Sequence, residues 1–286
     1  MMVQIKYEDG EFGCRAVPST SEWSQAITRD LLENTVVELE LNHAKGWKGI
    51  DLSFLADLPR LKSIIIIDWR IASVEPIHCL TELRALKVST YCSTEIRFSA
   101  FPRLERCSLE WRPKADTVFD CTTLKSLFLN RYNGKDTGRF TKLVNLESLG
   151  ILNAPVDNLH GLSSLKKLRS LRLGNLRRLI SLAGIEDLTG LEELDINTCR
   201  RICSIDEVGS LVRLKKFYLN NCGDIASLKP LEKLESLTSV LFYESTNILD
   251  GDLTPLVRNK ALSSVAFKNR RHYSHRREDF GVAYTG

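Results

Sequence analysis

The chain has 286 residues, of which 43% are hydrophobic and 27% charged, and a formal net charge of +4. No apolar run approaches the roughly 18 residues that a membrane-spanning helix needs. So mild a charge makes no general case for nucleic acid or a membrane surface as partner, and any electrostatic partner must be met by a local patch.

The first residues, Met1-Met2-Val3-Gln4-Ile5-Lys6-Tyr7-Glu8-Asp9, carry charges where a secretory signal would carry its apolar segment, so a cytoplasmic location is expected. Val3 to Val17 reads as a β-hairpin: Val3, Ile5 and Tyr7 alternate, Asp9-Gly10 supplies a tight turn, and Phe12, Cys14 and Ala16 alternate back. Ser19 and Glu22 have capping-box spacing, and Trp23, Ala26, Ile27 and Leu31 then fall on one helical face up to Asn34. Residues 1–35 are therefore expected to form an N-terminal cap.

From Val36 a pattern begins: an apolar residue, two others, an apolar residue, one other, an apolar residue. It starts at Val36, Leu61, Leu83, Leu104, Leu124, Leu146, Leu168, Leu191, Leu214, Leu237 and Leu262. The steps run from 20 to 25 residues, inside the range of about 20–29 that marks a leucine-rich repeat. Most copies also carry an apolar residue three positions before the start, such as Leu58, Leu143 and Leu211, while the last has Asn259 there. In each copy the inner residues of a short strand point to the core and the alternate ones to the opposite face. The return segments, for example Val156 to Leu162 and Ile202 to Val208, are too short for more than one turn of α- or 3₁₀-helix. Residues 36–268 thus read as one solenoid of about eleven repeats.

After Lys268 the pattern stops, and four arginines and two histidines fall within Asn269 to Phe280. Residues 269–286 read as a basic cap or tail. A terminal repeat needs a polar closing face, and a basic surface for an acidic partner is the other reading.

These residues resemble the leucine-rich-repeat family, and the short repeats look most like its bacterial internalin-type class. The resemblance covers Val36 to Lys268. It implies a curved solenoid with a parallel sheet on its concave face, and in most members recognition of a protein by that face.

The residues that would meet a partner can be read from the strand phase. In the early copies Ile65, Ile67, Trp69, Tyr91, Trp111, Phe128 and Tyr132 form an aromatic and aliphatic strip flanked by Asp68, Arg112 and Arg131. Tryptophan, tyrosine and arginine are enriched in protein-binding hot spots. In the later copies Arg172, Asp195, Lys216, Tyr218 and Tyr243 alternate charge with aromatics. Arg177-Arg178 and Arg200-Arg201 hold one phase in consecutive copies, so four guanidinium groups are expected to cluster on one rim as an anion-binding candidate.

Catalytic signatures are missing. No glycine-rich phosphate loop, nucleophile elbow or metal-ligand pair at diagnostic spacing occurs, so neither enzyme activity nor a cofactor is expected. Cys199 and Cys203 have a three-residue gap with no second pair and no histidine at ligand spacing, and Cys199 shares its phase with Cys222. Stacked structural thiols are expected there, and no metal. Thiols used as small hydrophobes, as at Cys107 and Cys121, agree with a reducing compartment.

The resulting expectation is a non-catalytic protein-binding module, monomeric when free, and most concretely a bacterial immunity-type inhibitor that occludes a toxin. An adaptor or regulatory subunit of an enzyme is the alternative, and a binder of an anionic polymer through the arginine rim is a second.

Overall fold

A computed structural model describes residues 4–112 and 114–280. Val3, expected to open the hairpin, and residues 281–286 of the basic segment lie outside the described residues. Strand β1 (Gln4–Asp9) pairs antiparallel with β2 (Cys14–Ser19). The turn between them has four residues rather than the two expected, and its glycine with a left-handed backbone is Gly13 (φ 137°), not Gly10. The Gly10 amide closes it on the Gly13 carbonyl at 2.9 Å. Phe12 therefore sits in the turn instead of continuing a strand.

Helix α1 (Gln25–Glu33) is capped by Ser24, whose side chain accepts from the Ile27 amide. The expected Ser19 cap fails because β2 runs through Ser19 and holds it extended. Ile27 and Leu31 are buried, but Ala26 is exposed. Trp23 lies before the helix, stacked on Phe54 with ring centroids 3.5 Å apart.

The chain divides after Leu129 into two compact units. The first holds, beyond the hairpin and helix, β3 (Glu38–Asn42), β4 (Ser63–Ile67), β5 (Ala85–Ser89) and β6 (Arg106–Glu110), and most of β7 (Ser126–Asn130). From β2 to β6 each pairs parallel with the next. In the second unit β8 (Ser148–Leu152), β9 (Ser170–Gly174), β10 (Glu193–Asn197) and β11 (Lys216–Asn220) follow in parallel order. A two-residue β12 (Asp224–Ile225) leads to β13 (Ser239–Tyr243), which pairs with β11, while β14 (Asn247–Ile248) pairs with β12. A short α2 (Thr254–Arg258) precedes β15 (Ser264–Phe267), which pairs with β13.

Every one of the eleven starts read from the sequence is followed, two residues on, by one of these strands. The register explains why. Leu194 lies opposite Leu171 and Phe217, and Ile196 opposite Leu173 and Leu219, so equivalent side chains stack on one face and leave the alternate residues on the other. Leu171, Leu173, Leu194, Ile196 and Leu219 are fully buried. Most return segments carry a 3₁₀ turn of three to five residues, such as His160–Ser164 and Asp206–Ser210, while the one between β9 and β10 has only turns and the one before β15 carries α2.

Residues 269–280 fold back over the last strand. The Tyr273 hydroxyl accepts from the Ile248 amide at 3.0 Å, and its ring lies 5.9 Å from Phe267. Arg270 donates to the carbonyl of Thr246 at 3.0 Å, and Phe280 meets Phe267 edge-on.

Candidate protein-binding face

In the first unit the outward strand residues form the floor of a groove, and the hairpin turn forms its wall. Ile65 from β4, Lys87 from β5, Ser108 from β6 and Phe128 from β7 line a cavity of about 280 Å³, with Glu11 and Phe12 of the turn at its side. Phe12 is held there by charge. The Arg84 guanidinium lies 4.8 Å and that of Arg106 5.8 Å from its ring centroid, a cation–π arrangement. Arg106 also pairs with Glu11. Buried Glu38 ties the turn down: it accepts from the Phe12 amide at 2.5 Å and from Arg15 at 2.7 Å.

The predicted residues divide by burial. Ile65, Ile67 and Phe128 are half-buried on the outward face, as their phase requires. Trp69 and Tyr91 are 56% and 73% exposed beyond the ends of β4 and β5, and Trp69 meets His43 edge-on at 4.5 Å. Trp111 is half-buried against Phe119, at 5.8 Å.

Three expectations fail. Arg112 is only 3% exposed: its guanidinium donates to Cys92 Sγ at 3.0 Å and Thr90 Oγ1 at 2.9 Å, so it fills a corner and offers no surface to a partner. Tyr132 is 1% exposed and packs edge-on against Phe140 at 5.6 Å. Asp68, read as a flank of the strip, is likewise buried, with Arg70 on its carboxylate. The apolar phase describes strands, and these three residues lie in the corners just beyond them, where alternation no longer holds. Sequence reading missed Phe12, Arg84 and Arg106; Arg106, at an outward strand phase, was the one signal that could have been used.

In the second unit Arg172 and Asp195 form a 3.0 Å ion pair across neighbouring strands, and Lys216 lies 3.8 Å from Glu193. Burial raises the Asp195 carboxyl above its ordinary value, and the Arg172 charge and hydrogen bond offset part of this. Tyr218 is half-buried beside them, while Tyr243 and Arg131 are exposed.

The arginine rim forms only in part as expected. Arg177 and Arg200 line one open cavity of about 380 Å³ with Asn175 and Thr198, whereas Arg178 and Arg201 are exposed outside its lining. Cys199 and Cys222 are fully buried, their thiols donating to the carbonyls of Asn197 and Asn220 at 3.5 and 3.2 Å. Burial pushes these thiols up to about 12 and about 11. Cys203 is exposed.

No family model matches the sequence, and no curated protein matches it. Among solved structures the chain is similar to an internalin (inlF) from Listeria monocytogenes, with 20% identity and a TM-score of 0.62, covering 90% of this chain and 87% of that one. Fainter likenesses are internalin C2 (inlC2) of the same species, at 16% identity and TM-score 0.48 over 74% of this chain and 83% of that one, and a leucine-rich-repeat protein from Leptospira interrogans, at 16% and 0.49 over 88% and 76%. The chain has the leucine-rich-repeat fold, of the short-repeat kind found in internalins.

Proposed function

We propose that this is a protein-binding module that recognises its partner on the outward sheet face of the first unit, and most concretely an immunity-type inhibitor that occludes a toxin in the cytoplasm. The observation that carries the reading is the groove floored by Ile65 and Phe128, with two exposed aromatics, Trp69 and Tyr91, beyond the strands that floor it. Aromatic side chains bring large apolar area at low conformational cost, and Arg84 and Arg106 supply the charge that accompanies them in binding hot spots. Inhibition by covering an active site needs no catalytic group of its own.

The test is capture from the native host with the wild-type chain and with a Trp69→Ala, Tyr91→Ala, Phe128→Ala variant, followed by assay of the captured protein. A toxic enzyme silenced on binding, and lost by the variant with affinity down at least ~100-fold, is the expected result. An enzyme that stays active when bound identifies an adaptor. Full affinity in the triple variant overturns the groove as the binding face.

A further inference from the structure

We infer that the corner built by Asn175, Arg177, Thr198 and Arg200 in the second unit binds a single tetrahedral oxyanion of the phosphate-monoester class. The four residues belong to consecutive repeats, so neighbouring strands bring them within about 5 Å of one another along the sheet. They enclose an open cavity of about 380 Å³. Asn175 and Thr198 both have left-handed backbones, with φ of 52° and 58°, and each turns the chain so that the arginine two residues on projects at the same corner.

The hydrogen bonds orient the arginines without neutralising them. Arg177 Nε donates to Asn175 Oδ1 at 3.1 Å, which leaves both terminal nitrogens of that guanidinium without a partner among the described residues. One terminal nitrogen of Arg200 donates to Asn221 Oδ1 at 3.2 Å. Both acceptors are neutral amides. Among the described residues no carboxylate pairs with Arg177, Arg178, Arg200 or Arg201, although other arginines of the second unit, such as Arg169 and Arg172, have one. Two uncompensated guanidinium forks facing one cavity match an anion with at least three oxygens and two charges, which balances both forks where a single carboxylate brings one charge.

The sequence phase limits the ligand to one anionic group. The positions equivalent to Arg177 in the flanking repeats are Pro155 and Gly223, and those equivalent to Arg178 are Val156 and Asp224. Positive charge therefore spans two repeats and stops, on one side against an acidic residue. A polyanion would need a track of cations in successive repeats, which this rim lacks.

The test uses inorganic phosphate at constant ionic strength, followed through the arginine Nε–Hε signals of the full chain, with sulfate and chloride in parallel. Saturable shifts at Arg177 and Arg200 with phosphate and sulfate but not chloride are expected, with affinity falling about tenfold in Arg177→Gln/Arg200→Gln. Arg178→Gln/Arg201→Gln should change it less than about twofold. Equal shifts with chloride, or unchanged phosphate binding in Arg177→Gln/Arg200→Gln with an unaltered melting temperature, overturns the site. Polyphosphate provides the second arm: affinity per chain far above that of phosphate, and lost equally through Arg178 and Arg201, overturns the single-anion reading in favour of a polymer. A phosphoserine peptide and a sugar phosphate then distinguish a modified protein from a small molecule as the source.

Discussion

The two units turn the same corner by different means. In the second unit the residue after each long strand is left-handed: Asn153 (φ 55°), Asn175 (52°), Thr198 (58°), Asn221 (53°) and Glu244 (58°). Backbone geometry makes the turn, and the amides of Asn153, Asn175 and Thr198 continue the ladder to the next strand at 2.8 Å. Their side chains form a second ladder on top, with Asn175 Nδ2 donating to Asn153 Oδ1 at 2.6 Å and Asn153 Nδ2 to Asn130 Oδ1 at 2.7 Å.

In the first unit the equivalent residues Asp68 and Thr90 are not left-handed, and buried polar side chains fill the space. Asp68 accepts from the Arg70 amide and guanidinium, and Thr90 from Arg112. Asparagine tolerates the left-handed region, so a backbone corner is repeatable and tolerant of change. A buried network is specific, and it is costly when only partly satisfied.

The difference predicts a gradient of mutational effects. The largest belongs to Arg112→Ala, which leaves Thr90 and Cys92 without their donor in a corner closed to water and should lower stability by about 2–3 kcal/mol in urea unfolding. Arg112→Lys should recover less than half, since an ammonium lacks the planar fork whose two terminal nitrogens meet Cys92 Sγ and Thr90 Oγ1 separately. A loss below about 0.5 kcal/mol would mean that the first unit's corners are as tolerant as the second's.

Next comes pH. At Asp68 burial opposes ionisation, but the hydrogen bonds and charge of Arg70 prevail and hold the carboxyl below its ordinary 3.8. A lowered folded-state value means that this carboxylate stabilises the fold above pH 3.8 and that the contribution is lost as pH falls through the folded value. Asp195 is raised, so the folded state holds its proton more tightly, and stability is lost as pH rises from 3.8 through the folded value. Asp68→Asn should cost about 2 kcal/mol at neutral pH and flatten the acid limb. Asp195→Asn should stay within about 0.5 kcal/mol and remove a slope of the opposite sign. Parallel slopes in the two variants would contradict the assignment.

A loss smaller than those at Arg112 and Asp68 tests the backbone corner. Asn175→Ala should cost about 1 kcal/mol, because alanine resists the left-handed region and the side-chain ladder is cut. Asn175→Gly keeps the turn and loses only the ladder, so it should cost measurably less. Equal costs would assign the stability to the side-chain ladder alone.

Repetition made the strands legible. Each apolar triplet recurs in a phase that only a parallel, in-register stack can bury together, so inner positions such as Ile64, Leu86 and Leu127 could be placed from the sequence alone. The cap was legible as hairpin plus helix, but its details were not: Ser24 replaces Ser19 as the cap because β2 extends further than the turn residues suggested. Of the candidate face, Ile65, Ile67 and Phe128 followed from alternation. Phe12 did not, since nothing in a hairpin's own sequence says which neighbouring arginines its turn will reach.

By itself, then, the sequence determined the repeat, the strand phase and the face on which each strand residue stands, because period-two alternation and a fixed repeat length leave no other way to bury the leucines. The corners were decided only by the tertiary structure. There a side chain's fate depends on the space its neighbours leave: Arg112 is buried on Thr90 and Cys92, while Arg177 and Arg200 line an open cavity.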